Sequence, residues 1–177
     1  MTEMTEVVID IDLEDNRWEE NLPSVAKTIE QVKDAVFAYV GAHEKKEFLQ
    51  SEKPLLLHVC LSSDGEVRKL NRDFRHLDKP TNVLSFANLD FADFGSENDP
   101  FPEVDLGNII IAYETTKKEA ETENITFYDH FCHLLVHGML HILGFDHLED
   151  AEAEHMENFE KNILADMGIA NPYENFE

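Results

Sequence analysis

Basic residues are scarce in this chain: 14 lysines and arginines face 38 aspartates and glutamates, for a formal net charge of −24. Such a surface repels nucleic acid over most of its area and weakens non-specific binding to it. Cysteine is nearly absent as well. Cys60 and Cys132 are far apart, form no metal or redox motif and suggest no disulfide framework, which predicts buried thiols in a reducing compartment. No stretch approaches the roughly 20 apolar residues of a membrane span. The opening MTEMTEVVIDID is acidic and lacks the basic start and apolar run of a signal peptide. These absences predict a soluble, cytoplasmic protein with no membrane partner, and the length of 177 residues predicts one domain over 1–177.

What the chain does have is histidine in a telling arrangement. Residues 137 to 147 read HGMLHILGFDH, placing His137, His141 and His147 at H-x3-H-x5-H spacing with Gly144 before the third. Two histidines four apart on a helix share a face, about 6 Å apart along its axis. A glycine three residues later can end the helix in a left-handed turn and swing a third imidazole round to close the site. Three neutral nitrogen ligands with a position left for water describe a catalytic zinc site, with one ion per chain. His133 stands four residues before His137 and is a rival ligand, but only the later trio has the chain reversal. Imidazole suits zinc best, while nickel and copper also bind it.

The spacing is shared with the metzincin proteases, H-E-x-x-H-x-x-G-x-x-H, with one difference. Gly138 stands where those enzymes carry the glutamate that activates water. Peptide hydrolysis needs such a group to deprotonate water and to protonate the leaving amine. A metallopeptidase is therefore the weaker reading of the same metal cage.

The positive charge that exists is concentrated. Arg68, Lys69, Arg72, Arg75 and Lys79 lie within twelve residues, opposed there only by Asp73 and Asp78. This stretch is either a solvated helix face or the landing site of a phosphate.

Periodicity predicts strands at 7–13, 55–62, 83–87 and 108–113. It predicts helices from Ser24 to about His43, Glu66 to about Phe74, Thr115 to Glu123, Thr126 to about Gly144, and Asp150 to Met167. A Ser-Asp-Gly turn is expected after the second strand, and a long acidic loop over 88–105. Thr126 and Asp129 form a loose capping box, and the tail NPYENFE is expected to fray. The order implies an α+β domain: a mixed sheet of about four strands covered by helices, with the metal site at the end of a long central helix.

HGMLHILGFDH at 137–147, LNRDFRHLDKPTNVLSF at 70–86 and LGNII at 106–110 together resemble the YbeY family of bacterial rRNA maturation factors and endoribonucleases. The likeness continues through HLEDAEAEHM. Phe74 stands in place of the usual tyrosine, Asn82 where aspartate is common, and Asn108 in place of the aspartate after Gly107. The resemblance implies a single-strand-specific, metal-dependent endoribonuclease acting in 16S rRNA 3′-end maturation and ribosome quality control. It implies metal ligands at His137, His141 and His147 and a catalytic arginine at Arg75. Implied partners are single-stranded rRNA, the small ribosomal subunit or its proteins, and an Era-type GTPase.

On that reading a bound zinc lowers the pKa of its water towards about 7 and polarises a phosphoryl oxygen. Arg75 holds the scissile phosphate with forked, charge-assisted hydrogen bonds. The competing role for Arg75 is a surface salt bridge to Asp78. Asp146 is a candidate catalytic proton acceptor, or else a partner that orients a ligand imidazole. A non-catalytic ribosome assembly factor with a structural zinc is the third reading, in keeping with the acidic surface.

Overall fold

A computed structural model describes residues 5–44, 52–88, 102–146 and 148–173. Strands β1 (Val7–Leu13), β2 (Leu55–Ser62), β3 (Val83–Ala87) and β4 (Val104–Ala112) form one mixed sheet in the order β1-β2-β4-β3. β1 and β4 run parallel to β2, while β3 runs antiparallel to β4 and lies at the sheet edge. The helices are α1 (Arg17–Asn21), α2 (Val25–His43), α3 (Asp64–Arg75), α4 (Tyr113–Glu123), α5 (Phe127–Ile142) and α6 (Asp150–Asp166). The expected α+β architecture is present.

Alternation along the strands sorts side chains to two faces. Leu55, Leu57, Val59 and Leu61 of β2 join Ile109 and Ile111 of β4 in the main core, beneath α2 and α5. The intervening Ile110 and Ala112, with Leu84 of β3, form a smaller cluster with Val67 of α3. α3 therefore covers the opposite face from α5. This arrangement lets the β3 edge be approached from both sides.

Two boundaries and one short helix differ most from the sequence reading, each for a local reason. The Ser-Asp-Gly segment is the start of α3 rather than a turn, because the Ser63 hydroxyl caps the helix by accepting from the Glu66 N–H. β4 begins at Val104 rather than 108, because a bulge hides its alternation: Leu56 pairs with Asp105 and Leu57 with Gly107. Gly107 has φ +138°, and a Cβ there would lie 2.1 Å from the Phe86 carbonyl oxygen, so the bulge demands glycine. The five-residue α1 is too short to show a period, yet it carries the fully buried Trp18, whose indole N–H donates to the Ser62 carbonyl at 2.9 Å. Most of the expected acidic loop, residues 89–101, lies outside the described residues.

Candidate metal and active site

α5 starts where Thr126 caps it by accepting from the Asp129 N–H at 3.0 Å. It ends in a Schellman turn. The Gly144 N–H donates to the His141 carbonyl and the Phe145 N–H to the Leu140 carbonyl, each at 3.0 Å, and Gly144 has φ +100°. The expected left-handed turn at Gly144 is present. It leaves His137 and His141 in the last two turns, on the side of the helix that opens to a cavity of about 660 Å³. Arg75, Asn82, Ser85 and Asp146 also line this cavity.

The Nε2 atoms of His137 and His141 stand 3.1 Å apart. Two nitrogens bound to one zinc at about 2.0–2.1 Å in a tetrahedral array lie about 3.3 Å apart, so this pair fits a shared cation. His147, the third expected ligand, lies outside the described residues.

The other nitrogen of His137 is engaged. Its Nδ1 is 2.5 Å from Oε1 of Glu160, which reaches in from α6 and is fully buried. Glu160 Oε2 accepts from the Tyr173 hydroxyl, and His133 Nε2 lies 3.2 Å from that hydroxyl and 3.8 Å from Oε2. Burial alone would push the Glu160 carboxyl up. Its hydrogen bonds to His133, His137 and Tyr173 outweigh that and hold it down at about 2. An ionised, buried acceptor on Nδ1 fixes the tautomer in which Nε2 of His137 presents its lone pair to the cavity.

His133, the rival ligand, faces this carboxylate cluster and is not among the residues lining the cavity. His130 is buried and bonds Glu119 at 3.0 Å. Asp146 is exposed on the cavity wall beyond the Gly144 turn. The carboxylate that orients His137 is therefore Glu160, which the sequence reading passed over. Tyr173 is also docked, contrary to the expected fraying of the tail up to that residue.

Gly138 is buried against the sheet. A Cβ added there would meet Ile109 Cγ2 at 3.0 Å and Ser85 Oγ at 3.3 Å. The residue after the first histidine thus points into packed structure, where a protease-type glutamate has no room.

Arg75 arrives from the other face of the sheet. The Asn82 carbonyl takes the Ala112 N–H, and the Asn88 N–H gives to Leu106, so even-numbered residues of this stretch bond β4. The Ser85 carbonyl consequently points out of the free edge, where Nη2 of Arg75 donates to it at 3.0 Å. The Arg75 guanidinium also lies over the Phe86 ring at 5.4 Å. Asp78 pairs with Arg68 instead, at 2.8 Å, so the salt bridge considered for Arg75 is not formed. Lys69 and Arg72 have acidic neighbours of their own, Glu66 and Asp73. Much of the basic cluster is thus internally neutralised, while Arg75 holds only a carbonyl and a ring by its described contacts.

The chain matches the family described as endoribonuclease YbeY over residues 12–168. It is 44% identical over 168 residues to the endoribonuclease YbeY of Rhodospirillum rubrum, covering 92% of this chain and 80% of that one. It is 40% identical to the Sinorhizobium fredii endoribonuclease YbeY, covering 96% of this chain and 94% of that one. The chain belongs to the YbeY endoribonuclease family. This is a family of hydrolases acting on RNA. The solution structure of a Thermotoga maritima protein shares the fold, with a TM-score of 0.52 at 22% identity, covering 95% of this chain and all of the other.

Set against the YbeY motifs, Asn108 stands in register with His58 and Phe86, on the α3 face of the sheet and not among the cavity-lining residues.

A second group of metal-capable atoms comprises Asp12, Glu14 and Cys60. There the Cys60 thiol donates to Glu14 Oε1 at 2.8 Å, and burial together with that carboxylate pushes its pKa well above the ordinary thiol range. The metal-free thiol is held protonated, so a cation bound there would have to displace that proton. Among the described residues no helix is long and apolar enough to cross a membrane.

Proposed function

We propose that the protein is a single-strand-specific, zinc-dependent endoribonuclease that acts in 16S rRNA 3′-end maturation and ribosome quality control in the cytoplasm. The observation that carries this reading is the convergence of two Nε2 atoms and one arginine on a single cavity, brought together from opposite faces of the sheet by the β3 edge. His137, His141 and His147 would hold the metal. When bound, the cation would supply Lewis-acid polarisation of a phosphoryl oxygen, whether water or the RNA's own 2′-hydroxyl attacks.

The chain's own residues supply the rest. Arg75 reaches the cavity with guanidinium donors beyond the one committed to Ser85, and these neutralise the negative charge that builds on the phosphate in the transition state. Asp146, on the wall beside the imidazoles, is the proton acceptor. Glu160 keeps His137 in the ligating tautomer. Small-subunit ribosomal proteins and an Era-type GTPase are the proposed protein partners. Basic ribosomal proteins suit the net charge of −24, which disfavours naked RNA elsewhere on the surface.

The test is cleavage of single-stranded RNA and of an rRNA precursor by purified wild type, His137→Ala and Arg75→Ala, alongside elemental analysis of untagged protein. Cutting by the wild type, with both variants inactive and about one zinc per chain, supports the reading. Full activity in both variants refutes it.

A further inference from the structure

Phe74 is a large apolar side chain that lies 67% exposed beside the candidate active site. It extends the buried stripe of α3, following Val67, Leu70 and Asn71 at helical spacing, but it emerges past the sheet edge. Its ring meets the edge of Phe86 at 5.8 Å and 63°, and the Phe86 ring in turn lies beneath the Arg75 guanidinium. Phe74, Phe86 and Arg75 thus make a continuous surface in which an exposed aromatic adjoins a cation on the cavity wall. Residues 68–79 carry five basic and two acidic side chains, and with Arg68, Lys69 and Arg72 paired to Asp78, Glu66 and Asp73, the cation this edge offers is chiefly Arg75, in a chain that is strongly acidic overall. A polyanion is tolerated best along this edge.

We propose that Phe74 is the floor of a nucleobase subsite. One base of single-stranded RNA stacks on its ring while the adjoining phosphate sits on Arg75. This rests on the endoribonuclease reading and adds where the strand lies and why it must be single: a base inside a duplex has both faces covered by its stacked neighbours. Stacking on one ring is sequence-tolerant, since every base has a π-face, so the subsite positions the strand without selecting its sequence.

The test is equilibrium binding of wild-type protein to a 2′-O-methyl single-stranded oligonucleotide, checked by gel electrophoresis to remain intact, followed by fluorescence anisotropy at low salt. Phe74→Ala is expected to bind about tenfold more weakly, the loss of one base stack. Phe74→Leu, which keeps apolar bulk without a π-face, should be as weak, and Phe74→Trp should restore binding. Against an oligonucleotide of abasic residues all four proteins should bind alike. Equal binding of the base-containing strand by wild type and Phe74→Ala, or full rescue by leucine, overturns the subsite and leaves the endoribonuclease reading intact. The same holds if Phe74→Ala loses as much affinity for the abasic strand, or if the ring serves an apolar protein partner and RNA binding is unaffected. Wild type that neither binds nor cuts single-stranded RNA overturns both.

Discussion

Glu160 and His137 are joined across α6 and α5 by a 2.5 Å contact between a fully buried carboxylate and the ring nitrogen turned away from the cavity. The contact commits that nitrogen to donation and so leaves the cavity-facing one unprotonated. Orienting partners of this kind change metal affinity by about 10- to 100-fold. Glu160→Gln should therefore weaken zinc binding by about that factor, measured by competition with a chromophoric chelator. Tyr173→Phe, which removes one donor from the same carboxylate, should have a smaller effect in the same direction. Unchanged zinc affinity in both variants would show that the imidazole pair needs no help.

Gly138 gives a prediction about what the fold forbids. Its missing Cβ is matched by Ile109 and Ser85 at 3.0 and 3.3 Å. Gly138→Ala should lower the unfolding free energy by about 1–3 kcal/mol, the usual cost of overpacking a core. Gly138→Glu should lower it further and should not confer proteolysis. Urea denaturation and a casein assay read the two effects. A well-folded, protease-active Gly138→Glu form would contradict this account.

Arg75→Lys keeps the charge but not the fork. The wild-type side chain donates to the Ser85 carbonyl and still has donors for a phosphate, which an ammonium cannot reproduce in the same geometry. The substitution should lower kcat by about tenfold or more and leave the melting temperature within a degree or two. Arg75→Ala should lower kcat by about 10²- to 10³-fold. Equal turnover by lysine and arginine would indicate a point-charge role.

The two thiols should be slow to react. Burial pushes Cys132 up to about 12, and burial with Glu14 raises Cys60 further. A raised pKa leaves little thiolate at pH 8, so alkylation of the folded protein should lag that of the urea-unfolded chain and accelerate as pH rises. Glu14→Gln should speed modification of Cys60 alone. Mass spectrometry after timed iodoacetamide treatment follows both sites.

Features with a strong period or a fixed chemical meaning were legible from the residues. α2, α5 and α6 were found because their apolar positions recur at helical spacing, and the turn after α5 because Gly144 sits where a left-handed residue was required. Glu160 was not found because it sits in a run rich in acids. Its signal was positional: it lies among Met156, Phe159, Ile163 and Leu164 on the buried stripe of α6, where an unpaired charge could not persist. Tyr173 carried no such signal, since only the folded chain brings it back to Glu160. The meeting of Arg75 with the imidazoles likewise depends on strand order, because β3 takes the edge position only after β4 inserts beside β2.

The outward Ser85 carbonyl has one more consequence. An unguarded edge strand invites a neighbour's strand to zip alongside it. Here any such newcomer would have to claim the oxygen that Arg75 occupies and dislodge the guanidinium from its perch. On the proposed reading, strand pairing along that rim would therefore compete with the Arg75 contact and so with turnover.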